Sequence, residues 1–247
     1  PTHADSGLTD VELDMLEFFN RQHLKGREVD STLSARIRSF ETAAGMQLAA
    51  PEAFDLSGET DETHKLYGLE PGDTSSFAWQ CLVARRLAER DVRFIELVDG
   101  DTSLDKNWDA HANLTKYDRL ARNVDQPIAA LIKDLKARGM LEDTLVVFTT
   151  EFGRGPYVQS PGTNGRGHWS RVYSSWLAGA GIKGGMTYGS SDERGDDVAE
   201  DVVGVHDFQA TILHQLGLDH ERLTYRHAGR DYRLTDVDGR VVKEILA

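Results

Sequence analysis

One cysteine, Cys81, is the chain's whole supply of thiol, so an internal disulfide is excluded and the compartment is left open. No apolar run approaches the roughly 20 residues that a membrane-spanning helix needs, which argues against membrane insertion. Basic residues are scarce: 28 Lys and Arg against 41 Asp and Glu give a formal charge of −13. Nucleic acid is therefore a poor partner, because binding its backbone takes a concentrated basic surface. No signal peptide precedes residue 1, and a start at Pro1 is also that of a chain already processed or cut. Internal repeats and low-complexity segments are missing as well.

What is there is enough apolar residue, evenly scattered over 247 positions, to form a sizeable core, as one large domain rather than two small ones. The acidic stretches GETDET (58–63) and SDERGDD (191–197) read as solvated surface, since neither has the alternating oxygen spacing of a calcium loop.

The organising stretch is Leu145 to Arg154, LVVFTTEFGR. Four apolar residues suited to a buried strand run into two threonines, a carboxylate and a glycine, the pattern of a strand that ends in a site. Upstream, Thr9 with Glu12 forms a capping box for a helix ending near His23, and Leu33, Ile37, Phe40, Ala44 and Leu48 mark a second helix over 31–49. Residues 50–75 read as a connection.

A helix over Ser76 to Arg90, with Phe77, Cys81 and Ala84 on one side, leads into a strand over Val92 to Val98. The next helix runs from about Thr115 to Arg138, open to a break at Pro127, and Gly139 can stop it. With the strand Thr144 to Phe148 this predicts a parallel pair joined by a right-handed crossover. Residues 155–171 read as a glycine-rich loop, Val172 to Leu177 as a third strand and Val205 to Leu216 as a helix. The tail mixes short strands with turns such as Asp238-Gly239.

Three polar pairs adjoin these strands: Asp109 with His111, Glu151 with Arg154, and Arg166 with His168. Carboxylates and imidazoles are the usual ligands of zinc-like or manganese-like ions, and residues two apart in extended chain point the same way, so Asp109 and His111 can share one ion. The same residues can equally be exposed hydrogen-bonding groups. Arg154 and Arg166 can fork onto a tetrahedral anion or serve as plain ion pairs. Cys81, three or four residues from its apolar neighbours, reads as packing. His206 is open to a ligand role, and Asp207 can cap its helix.

The segments WDAH (108–111), DTLVVFTTEFGR (143–154), NGRGHW (164–169), WLAGAGIKGG (176–185) and VHDFQATILHQLGLDHERLTYRHAGRDYRLTD (205–236) occur together and in order. Over Tyr67 to Ala247 the chain resembles sulfatase-like bacterial proteins, many of them planctomycete, a domain family of unknown function within the alkaline phosphatase superfamily. The resemblance implies an α/β fold, a doubly wound, mostly parallel sheet flanked by helices, with residues 1–66 as a helical and irregular lead-in. It implies metal-dependent hydrolysis of sulfate or phosphate esters. Asp109, His111, Glu151 and His168 would be metal ligands to a divalent ion (zinc, calcium or manganese), and Arg154 and Arg166 the anion-binding catalytic residues. Relatives are commonly exported or periplasmic.

The superfamily's first metal aspartate and its nucleophile come from a segment with no counterpart here, so this chain is expected to be the later part of a longer protein. Phe152 stands where sulfatases carry histidine, Gly167 where relatives carry aspartate and Gln209 where they often carry histidine. The alternative is a non-catalytic sulfatase-like binding or structural module. A sheet edge left bare by the missing segment would promote self-association.

Overall fold

The computed structural model describes residues 6–27, 31–100, 107–109 and 111–247, with residues 6–10 and 47–49 through their backbone. It divides into two compact units, Pro1–Gly58 and Glu59–Ala247. The first holds α1 (Ser6–Leu24) and α2 (Ser31–Phe54). Helix α1 begins three residues ahead of Thr9, so Thr9 lies inside the helix and not at its cap. Helix α2 outruns its expected end and takes in Pro51.

In the second unit α3 (Asp61–Tyr67), α4 (Phe77–Ala88) and α5 (Lys116–Ala137) pack together. Thr60 caps α3 by accepting from the Thr63 amide, and Ser76 caps α4 by accepting from Trp79. Gly68 ends α3 in the left-handed region. Pro127 leaves α5 unbroken, and Gly139, at φ 72°, turns the chain out of it. Cys81, Leu82, Val83, Leu120, Ala130 and Leu135 are buried here. Each leucine so buried contributes roughly 2 kcal/mol. Burial pushes the Cys81 thiol up to about 12, which leaves it inert packing.

The same interface contains charge. Arg85 is 2% exposed and meets Glu59 at 2.5 Å, Glu89 at 2.8 Å and, through Nε, Asp134 at 3.0 Å. Arg86 also reaches Glu59, Arg138 bridges Glu89 and Asp134, and Tyr67 donates to Asp134 at 3.0 Å. Burial acts to raise the Glu59 pKa, but hydrogen bonds from Arg85 and Arg86 outweigh it and hold the carboxyl below its usual range. The stretch 58–63, expected to be solvated surface, is thus a helix cap plus one partner of a buried ion network.

All strand pairing among the described residues is antiparallel and two-stranded: β1 (Val146–Phe148) with β4 (Trp176–Ala178), β2 (Gly153–Val158) with β3 (Arg166–Trp169), β5 (Ser190–Ser191) with β6 (Val198–Glu200), and β7 (Thr224–His227) with β8 (Arg230–Arg233). The architecture is a mixed α/β fold with helices and small antiparallel sheets. The expected parallel pair does not form, because residues 92–100 join no ladder and Phe94 and Val98 stand 77% and 65% exposed. The third strand is confined to its last residues, where Trp176 stacks on Phe148. The expected glycine-rich loop over 155–171 is mostly the β2–β3 hairpin, with the Trp169 ring beside Gly155.

Behind β4 the chain turns back at Gly179, φ 81°, where any Cβ would meet the Thr144 carbonyl at 2.2 Å. Helix α6 (Val205–Gln215) starts as expected: the Asp207 carboxylate accepts from the Gly204 amide at 3.0 Å, and its other oxygen takes the Arg240 amide at 2.7 Å. No described helix is long and apolar enough to cross a membrane.

Candidate metal site

Two pieces of chain build the site: the turn that carries Trp108, Asp109 and His111, and the β2–β3 hairpin. The turn is fixed through Trp108, whose indole donates to Asp99 at 2.7 Å and whose carbonyl accepts from Tyr117 at 2.7 Å. The hairpin places Arg154 and His168 directly opposite each other. Side chains of opposed residues share a face of the ladder, so both reach the same target.

That target is Asp109. Its Oδ1 lies 2.7 Å from His111 Nε2, 2.9 Å from His168 Nε2 and 3.0 Å from an Arg154 nitrogen. The hydrogen bond from His168, then that from Arg154, hold the Asp109 carboxyl down to about 2, with His111 adding to the effect. Asp109 is therefore ionised at neutral pH. Arg154 also donates to the carbonyls of Trp108 and Arg166, which pins it across both pieces of the site.

The tip of the hairpin lies on the turn because residue 165 is glycine. A Cβ at Gly165 would sit 1.6 Å from the His111 carbonyl oxygen. Next to it the Asn164 side chain accepts from the Leu114 amide at 3.1 Å, and Gln159 Oε1 lies 2.5 Å from His111 Nδ1. The His168 ring is set between Phe152 and His111, with centroids 4.3 and 4.6 Å away.

Asp109, His111 and His168 each present one donor atom, all within 4.8 Å of one another, and are geometrically suited to hold a divalent ion. The cluster opens to solvent, with Asp109 about half exposed. Of the six residues singled out in the sequence, four meet here: these three and Arg154.

Glu151 stands outside the cluster. Thr150 donates to it at 2.7 Å and holds its carboxyl below the usual range, helped by the charges of Arg154 and His168. The Arg166 guanidinium folds onto its own loop, donating to the carbonyls of Asn164 at 2.7 Å and Gly165 at 3.2 Å. His206 lies elsewhere, 3.9 Å from Asp238, and His220 is buried against Thr235. Gln159 was not foreseen: 48 residues separate it from His111, and no spacing signals that contact.

The model of the family DUF1501, described as a protein of unknown function, matches residues 1–246, and the chain belongs to that family. No curated protein and no solved structure matches it.

Proposed function

Starting from that family membership, we propose that in the intact protein the Asp109 site serves a metal-dependent hydrolase of sulfate or phosphate esters. The observation that carries this reading is the meeting of Asp109, His111 and His168 donors within 4.8 Å, with Arg154 at their edge. Two imidazoles and one carboxylate suit a zinc- or manganese-like ion better than calcium, which collects about six to eight oxygens. Once bound, such an ion supplies charge that polarises ester oxygens and activates a nucleophile.

The chain's own residues would then divide the remaining work. Asp109, ionised at neutral pH, supplies the anionic ligand, and His111 and His168 supply neutral nitrogens. Arg154, facing His168 across the hairpin, would turn its fork from the Trp108 and Arg166 carbonyls to an oxygen of the tetrahedral anion. Glu151 and Arg166 are assigned to the same site as ligand and anion-binding residue, the latter after release of its two loop carbonyls.

The same reading takes residues 92–98 and β1 as strands of a doubly wound, mostly parallel sulfatase-like sheet. Its support is the order of elements: α4, an apolar-rich segment that joins no ladder, α5, then β1. It takes 67–247 as the core, 1–66 as the lead-in, and an exported or periplasmic location, which the resemblance alone supports.

The second reading, a non-catalytic binding or structural module, is favoured by Arg166 being turned onto its own loop and by Phe152 packing on His168. Intact protein offered divalent ions and a panel of sulfate and phosphate esters separates the two. The hydrolase reading expects ion uptake and ester cleavage, both lost on His168→Ala. Uptake without cleavage of any ester selects the module, and no uptake by folded protein overturns the metal site itself.

A further inference from the structure

We infer that Gln159 is a positioning residue that decides which nitrogen of His111 faces the ion, an inference that rests on the metal reading above. Gln159 lies just past β2, and its backbone amide donates to the Gly165 carbonyl at 3.1 Å, so its place relative to the hairpin tip is fixed. Its side chain lies beside Gly167, where a Cβ would stand in ordinary contact with Oε1 at 3.7 Å. From this position Oε1 reaches His111 Nδ1 at 2.5 Å, while Nε2, on the other side of the ring, faces Asp109 at 2.7 Å.

An amide oxygen only accepts hydrogen bonds, so Gln159 holds a proton on Nδ1 and leaves Nε2, the nitrogen that meets the Asp109 carboxylate, as the one that can exchange that contact for an ion. In the neutral imidazole that would bind an ion, the Nε2 lone pair is the one available, on the side of the ring that faces Asp109. A hydrogen-bond acceptor on the far nitrogen is how metal-bound histidines are commonly oriented, and its loss typically weakens metal affinity about 10- to 100-fold. His168 is different: its Nε2 meets Asp109 at 2.9 Å and its ring packs against Phe152 and His111, but no described residue accepts from its Nδ1. The two histidines are thus unequal ligands, one with a hydrogen-bond acceptor on its far nitrogen and the other without.

The test uses the full chain with Gln159→Leu and Gln159→Glu, both at an exposed position, with circular dichroism to verify folding. Zinc affinity is measured by competition with a chelating dye, and the His111 ring nitrogens are followed by 15N NMR in metal-free protein. Gln159→Leu should bind zinc about 10- to 100-fold more weakly, and its Nδ1 signal should move toward the unprotonated form. Gln159→Glu, which keeps an acceptor, should bind at least as tightly as wild type.

Wild-type zinc affinity in Gln159→Leu with unchanged ring signals overturns the inference. So does a wild-type His111 whose Nδ1 carries no proton. A wild type that takes up no zinc defeats the metal reading instead, and the ring signals still decide whether Gln159 sets the tautomer.

Discussion

Gly165 shows how one missing Cβ makes a site. The hairpin tip approaches the His111 backbone so closely that alanine at 165 would overlap its carbonyl, and nothing flexible stands in the way to yield. Gly165→Ala should push the tip off the turn, separate His168 from Asp109 and His111, and cost roughly 1–3 kcal/mol of stability. Divalent-ion titration with thermal unfolding checks this; unchanged ion affinity would show that the tip does not hold the site together. The sequence displayed Asp109, His111, Arg154 and His168 because acids, imidazoles and guanidinium groups near strand ends are visible by type. It hid Gly165, one glycine among several in that stretch, and Gln159, whose role comes only from a partner distant in the chain.

Among the elements, the α3–α4–α5 packing is where charge and burial compete. Arg85 has three carboxylates around it, Glu59, Glu89 and Asp134, and removing it leaves three poorly solvated anions with only Arg86 and Arg138 to balance them. Arg85→Ala should cost roughly 3–5 kcal/mol in urea unfolding, the usual penalty for breaking a buried pair from one side. A pH effect belongs to the same cluster. The folded Glu59 pKa lies below its unfolded value of about 4.3, so its stabilising contribution is complete above that value and is lost as pH falls through the folded pKa. Unfolding measured from pH 7 down should therefore lose stability in acid, and lose less of it in Arg85→Ala. Periodicity predicted α4 and α5, down to the Gly139 stop, because local rules set their ends; it passed over α3, which lies in the stretch 50–75 read as a connection. It did not reveal that Arg85 and Asp134 lie on their buried faces, since an apolar stripe says nothing of a charge that finds its partner in another helix.

Among the described residues the molecule is helices plus short two-stranded ladders, and its most strand-like apolar segment pairs with none of them. Val92 to Val98 was legible as a strand from composition, yet a strand exists only with a neighbour, and residue patterns in one segment do not specify the segment beside it. Unpaired apolar edges favour association. Light scattering should accordingly give a mass above that of one chain, and charged residues at Phe94 and Val98 should lower it; a monomer at all concentrations would contradict this.

The most direct test of the central claim is the metal content of intact, folded protein after equilibration with zinc or manganese and gel filtration. The account predicts stoichiometric ion in the wild type, lost in Asp109→Ala and in His168→Ala with folding intact. Metal-free wild type, or the same content in both variants, would contradict it.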